Sequence, residues 1–331
     1  MDIADRISFS NATVQARSAF PPEGTTLIAK SHSTIESPKS FNNEETVNKT
    51  LRKLLRPCWR TFTNVLPAKW HVVIDHVRVF GKLPNLNNPR TFNEKIAYRK
   101  LYDHDHRMPT LIDKIAAKEL MAARFGPDFI IPTLATFESE KEVNFDALHY
   151  PCVIKANHGS GINFFLRERP VDEKRIRREL HSFLHRSYDV LYEEWAYSKI
   201  HRRLLVEPLI EGGAHGLVDY KFHTFSGRVF AIQVDVDRYI GHRRCIFDPN
   251  WVKMPVEYYY PQPSYTVPPP AMLPDMLRYA EQIGEEFSYV RVDLYEIAGQ
   301  VKFGEVTFYP EAGLGIFNPP EFDQVFGAQW L

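Results

Sequence analysis

Two carboxylates near the end of the chain, Asp293 and Glu305, lie on segments whose period-two alternation reads as a β-hairpin, Tyr289 to Tyr295 returning over Ala298-Gly299 as Val301 to Phe308. Alternation sets Arg291, Asp293 and Tyr295 on one face of the first arm and Phe303, Glu305 and Thr307 on one face of the second, so the acids could converge. Adjacent carboxylates repel unless something positive lies between them. A hard cation such as Mg²⁺ holding phosphate oxygens meets that need; ion pairing to Arg291 or Lys302 meets it equally. Upstream, Lys155 precedes His158-Gly159-Ser160-Gly161, whose exposed N–H groups could cradle a phosphate or simply make a tight turn. The order is not that of a P-loop, because the lysine comes before the glycines. Asp219 and Lys221 alternate to one side of a strand while Tyr220 and Phe222 face the core. Glu207-Pro208-Leu209 ends another strand, leaving the Glu207 carbonyl and the Leu209 N–H as partners for a flat heterocycle, since Pro208 cannot donate. Asp235-Val236-Asp237 is a D-x-D triplet of the sort that binds a metal and a nucleotide sugar; it fits the lining of another nucleotide cleft or a solvated strand end as well.

The elements that must position these residues alternate between the two periods. Apolar spacing near three to four over 51–80 predicts a pair of basic helices, and Thr91 with Glu94 forms a T-x-x-E capping box for the next. A helix is expected from a Thr110 cap to Phe125, stopped by Gly126-Pro127, with Lys114 in its first turns. Tyr150 to Ala156 and Ile162 to Leu166 read as a hairpin, Asp172 caps a helix, and Leu204 to Ile210, Asp219 to Phe225 and Val229 to Val236 read as strands. Pro274 to Phe287 is amphipathic with Met276, Leu277, Ala280, Ile283 and Phe287 inward. Hairpins predominate, which favours an α+β architecture over a doubly wound parallel sheet. No early parallel nucleotide-binding half of the kind a nucleotide-sugar enzyme would want is visible.

Composition bounds the rest. The 331 residues are 44% hydrophobic and 25% charged, an ordinary globular balance, and 41 basic side chains match 41 acidic ones, so whole-chain charge predicts no nucleic-acid partner. Between Leu51 and Arg107, however, twelve Lys or Arg face four acids, a local excess suited to an anionic membrane surface, an anionic polymer, or merely a wet helical face. Cys58, Cys152 and Cys245 have no metal or disulfide spacing. Residues 1–50, rich in Ser, Thr and Asn, read as a flexible polar extension. With neither a basic apolar leader nor a run of about 18 apolar residues, the expected location is cytoplasmic, soluble or peripheral to the inner face of the membrane.

The ordered run Thr91-Phe92-Asn93-Glu94-Lys95, Asp113-Lys114, Lys155 to Gly161, Asp219-Tyr220-Lys221, Arg291-Val292-Asp293 and Gly304-Glu305-Val306-Thr307-Phe308 resembles the TupA-like ATP-grasp family over roughly residues 80–331. The resemblance implies an ATP-grasp fold whose two α+β subdomains, 109–210 and 211–331, clamp ATP behind a basic helical segment at 51–108. It implies phosphate contacts from Lys114, Lys155 and Lys221, a mobile loop at His158, Gly159, Ser160 and Gly161, adenine held by the backbone of Glu207 to Leu209, and Asp219 near the ribose. Mg²⁺ would sit on Asp293 and Glu305. Many ATP-grasp ligases carry Glu-x-Asn where this chain has Glu305-Val306-Thr307, and a hydroxyl is a weaker ligand than an amide carbonyl. The implied reaction is phosphoryl transfer to a carboxylate and amide formation with an amine, with Arg238, Arg291 and Lys221 steadying the acyl phosphate. Teichuronopeptide or polysaccharide biosynthesis is the implied setting, and an ATP-binding scaffold without turnover is the non-enzymatic alternative.

Overall fold

The computed structural model describes residues 66–331 except Ser160, Ile162, Pro170, Ala214, His215 and Tyr239. The expectations for residues 1–50, and for a helix within 51–65, fall outside the described residues.

Helix α1 spans Ala68–Phe80 and stops at Gly81, whose left-handed φ of 69° lets its N–H reach the Val77 carbonyl. Helix α2, Phe92–Tyr102, opens with the expected capping box: the Thr91 side chain accepts from the Glu94 N–H, and the Glu94 carboxylate accepts from the Thr91 N–H. The single helix expected from Thr110 is instead two, α3 over Met108–Ile112 and α4 over Lys114–Phe125. Asp113 makes the break. Its backbone is extended and its carboxylate accepts from the N–H of Ile115 at 2.9 Å, so it caps α4, while Pro109 suits the first turn of α3. Lys114 thereby becomes the first residue of a helix.

Strands β1 (Ala135–Phe137), β2 (Cys152–Ala156), β3 (Asn163–Leu166) and β4 (Leu204–Pro208) form an antiparallel sheet in the order β1-β4-β2-β3. Helix α5, Glu173–His185, is capped by Asp172 and inserts Ile176, Leu180 and Leu184 against Cys152, Ile154, Leu166, Leu204 and Val206. The short helix α6, Tyr188–Tyr192, follows.

The larger sheet contains β5 (Asp219–Phe225), β6 (Arg228–Val236), β7 (Arg243–Phe247), β9 (Val290–Ile297) and β10 (Gln300–Thr307), ordered β10-β9-β5-β6-β7, every pair antiparallel. A small pair joins β8 (Glu257–Tyr258) to β11 (Phe317–Asn318). Helix α7, Leu273–Gly284, packs Met276, Ala280 and Ile283 into the core that holds Phe222, Ile232, Val234, Val292 and Leu294. Each such buried side chain larger than alanine contributes about 1.5–3 kcal/mol. Helix α8, Phe322–Gln329, closes the chain, its Phe326 edge-on to Phe92 of α2. One face of the larger sheet is therefore apolar. The other carries Asp219, Lys221, Asp235, Arg291 and Asp293, all buried.

Candidate active site

Register explains why the two C-terminal acids meet. Phe303 pairs with Leu294, but Glu305 pairs with Asp293, so the strand gains one residue between them, Gly304. Strict alternation, as expected from the sequence, would leave Phe303, Glu305 and Thr307 on one face; that grouping is wrong. The bulge leaves Phe303 in the core beside Leu294 and turns Glu305 and Thr307 onto the face of Asp293 and Arg291. A Cβ on Gly304 would stand 2.9 Å from the Asp293 carbonyl oxygen and 2.8 Å from the Tyr295 ring, so only glycine fits.

Cations surround the pair. Arg291 donates to Asp293 through Nε at 2.7 Å and Nη2 at 2.9 Å, the Lys221 ammonium donates to the same carboxylate, and Arg291 Nη2 also donates to Thr307 Oγ1 at 3.1 Å. Glu305, whose side chain keeps 30% of its surface, faces Lys114 Nζ at 3.5 Å and Arg291 Nη2 at 3.6 Å. Burial pushes its carboxyl up, but Lys114, Lys221, Arg291 and Arg238 together reverse this and hold it down to about 2. Asp293 and Lys221 pull opposite ways: burial raises the carboxyl, while the ammonium, lowered by burial, is raised on balance by Asp293 and Asp219. With two cations in contact, the geometry supports the carboxylate form.

Asp219 lies in the next strand. Its Oδ2 accepts from Arg238 Nη1 at 2.8 Å and its Oδ1 from the Tyr295 hydroxyl at 2.9 Å, with Lys221 Nζ at 3.6 Å. Arg238, just beyond β6, has a pKa raised first by Asp219. Asp219 thus aims both cations.

Lys114 links the two sheets. Its N–H donates to the Asn157 carbonyl at 2.9 Å, Asn157 Nδ2 donates to the Asp113 cap at 3.0 Å, and Lys114 Nζ donates to the Gly159 carbonyl at 2.6 Å. The turn after β2 is thereby tied to Glu305 of β10. Within that turn Gly159 has φ 79°, and a Cβ there would lie 2.1 Å from the Tyr188 ring; Gly161 has φ 69°. His158 is buried and its Nε2 pairs with the Arg186 carbonyl at 3.1 Å, while burial and then Arg202 lower its pKa to about 4. Ser160 lies outside the described residues.

Lys155 Nζ contacts Glu207 at 2.5 Å, and Lys118 Nζ contacts the other oxygen of the same carboxylate at 2.6 Å. Burial pushes Glu207 up, and Lys155 and Lys118 more than offset it. Lys118 was not singled out from the sequence, although four residues after Lys114 it lies one helical turn along, a spacing that would have found it. The Leu209 N–H, expected to meet a heterocycle, instead donates to the Pro151 carbonyl at 3.1 Å. The D-x-D acids do not act as a pair either: Asp235 is held by Arg244 through Nε at 2.5 Å and Nη2 at 3.1 Å, and Asp237 accepts from Tyr265 at 2.5 Å.

The donor set suits a hard dication. Asp293, Glu305 and the Thr307 hydroxyl offer oxygens on one face, and Mg²⁺ ordinarily takes one or two carboxylates and completes its shell with water and phosphate oxygens. Among the described residues no group of three or more His, Cys, Asp or Glu is disposed to hold a metal, and both oxygens of Asp293 are engaged by Arg291 and Lys221.

A family model described as TupA-like ATPgrasp matches residues 94–331. The chain belongs to the TupA-like ATP-grasp family. Its fold is the α+β ATP-grasp fold expected from the motif order. Among solved structures it is similar to the D-alanine–D-alanine ligase of Bacillus anthracis complexed with ATP, at 17% identity and a TM-score of 0.36, covering 60% of this chain and 55% of that one. The D-alanine–D-alanine ligase of Helicobacter pylori gives 16% and 0.39, with 72% and 69% covered. N5-carboxyaminoimidazole synthase of Aspergillus clavatus, in complex with ADP and 5-aminoimidazole ribonucleotide, gives 12% and 0.36, with 64% and 50% covered. The chain thus spans little more than half of the first of these. A search of curated proteins gives no match.

Proposed function

We propose that this ATP-grasp protein is an ATP-dependent carboxylate–amine ligase acting in the biosynthesis of a cell-surface polysaccharide or teichuronopeptide. The observation that supports it most is the meeting of Lys114, Lys221 and Arg291 at the Asp293–Glu305 pair, positive charge gathered where phosphate oxygens and a dication would need it.

In this reading an acceptor carboxylate oxygen attacks the γ-phosphorus of ATP and ADP leaves. An amine then attacks the acyl carbon, phosphate departs with the bonding pair, and the amine proton passes to solvent. Lys114, Lys155 and Lys221 bind phosphate oxygens, the first carrying the turn at His158 to Gly161 with it. Arg238 and Arg291 neutralise the transferred group, each held by a buried aspartate so that little reorganisation is needed. Asp293 and Glu305, with Thr307 as a weaker third donor, would hold Mg²⁺, which would supply charge neutralisation at the phosphate oxygens. The lobes at 109–210 and 211–331 clamp the nucleotide, with Glu207 at its adenine end and Asp219 toward its ribose.

ADP release measured with ATP and Mg²⁺ against a panel of amino acids and uronic-acid sugars tests the proposal. A carboxylate–amine pair that stimulates release supports it; nucleotide binding with no release for any pair favours a scaffold.

A further inference from the structure

We infer that helix α1 lays its outer face on an anionic membrane surface. The helix turns polar side chains inward beside the buried Val72 and leaves two large apolar ones outside. Its buried residues are His71, Val72, Asp75 and His76, three of them polar, and His71 Nδ1 meets Glu193 at 2.7 Å while His76 Nδ1 meets the Lys82 carbonyl at 2.9 Å. Trp70 is 53% exposed and Val77 37%, about two turns apart on the outer face, with Leu66 just before the helix and Leu83 just after it also exposed. A helix that only covers a core places its polar residues the other way round.

Charge selects the partner. Between residues 66 and 90 the one acid, Asp75, is buried, whereas Lys69 and Lys82 are exposed beside the apolar stripe. An indole and aliphatic side chains flanked by lysines are what the interface of an anionic bilayer accepts. At about 1.5 Å per residue the helix is roughly 20 Å long, suited to lying in the interface, and among the described residues no helix is long and apolar enough to cross a membrane.

The experiment is flotation of the full chain with phosphatidylcholine vesicles, with and without phosphatidylglycerol. Binding is expected only with the anionic lipid and should weaken as salt rises. Trp70→Ser, and Lys69→Glu with Lys82→Glu, should each lower the bound fraction about tenfold or more without changing the melting temperature. Absence of binding to anionic vesicles overturns the inference, as does binding that both variants leave unchanged. Loss of a concentration-dependent dimer in Trp70→Ser, with no vesicle binding, assigns the face to a second copy and overturns it too. ADP release measured without vesicles should be the same in all variants, which separates failure here from failure of the ligase reading.

Discussion

Glu305 stands directly across from Asp293 because Gly304 adds one residue to its strand. Gly304→Val should therefore damage activity out of proportion to its size. A side chain there collides with the Asp293 carbonyl, and removing the bulge would return Glu305 to the core side of the sheet. ATP turnover should fall at least about a hundredfold, and chemical denaturation should show a loss of about 1–3 kcal/mol from overpacking. Wild-type turnover in this variant would mean the acids need not face one another.

Lys118 and Lys155 share one buried carboxylate, so removing either leaves Glu207 under-compensated. Lys118→Met should cost about 2–4 kcal/mol in urea unfolding. Adding Glu207→Gln to it should recover part of that loss, because the charge left stranded is then gone. A double variant less stable than the sum of both singles would contradict the pairing.

Acid sensitivity should begin above the carboxylate range. His223 is buried between the Tyr289 hydroxyl at 3.0 Å and Gln233 at 3.3 Å, and burial, then Arg291, lowers its pKa to about 3. Between about 3 and the unfolded value of 6.5 the unfolded chain binds the extra proton. Stability is then fully present above 6.5 and declines as pH falls toward 3. Glu305, depressed to about 2, acts in a lower window: its contribution is present above the ordinary 4.5 and is lost as pH falls through 2. Melting temperatures from pH 7 to 4 should show a histidine slope to which His158 also contributes, and His223→Gln should make it shallower. An equal slope in both proteins would place the proton elsewhere.

Much of this was legible in the sequence because local rules govern it. The Thr91 capping box, the Asp172 cap, the hairpin around Ala298-Gly299 and the limits of β5 follow from residue types within a few positions of one another. What was not legible depends on tertiary choice. Asp113 outcompetes Thr110 as a cap while also accepting from Asn157 in the turn after β2. Strand β7, Arg243–Phe247, opens with two arginines, and its pattern shows only once Arg244 is seen buried against Asp235. In the site, period two placed Asp293 and Arg291 together correctly but could not foresee the bulge at Gly304. The aspartates expected to meet ligands directly are found holding arginines, a role that needs the register of neighbouring strands.

If ATP is turned over on the Asp293–Glu305 face, single-turnover ADP release by Glu305→Ala falls at least about a hundredfold below wild type in a protein whose circular dichroism is unchanged. Release at the wild-type rate from an intact Glu305→Ala protein would contradict it.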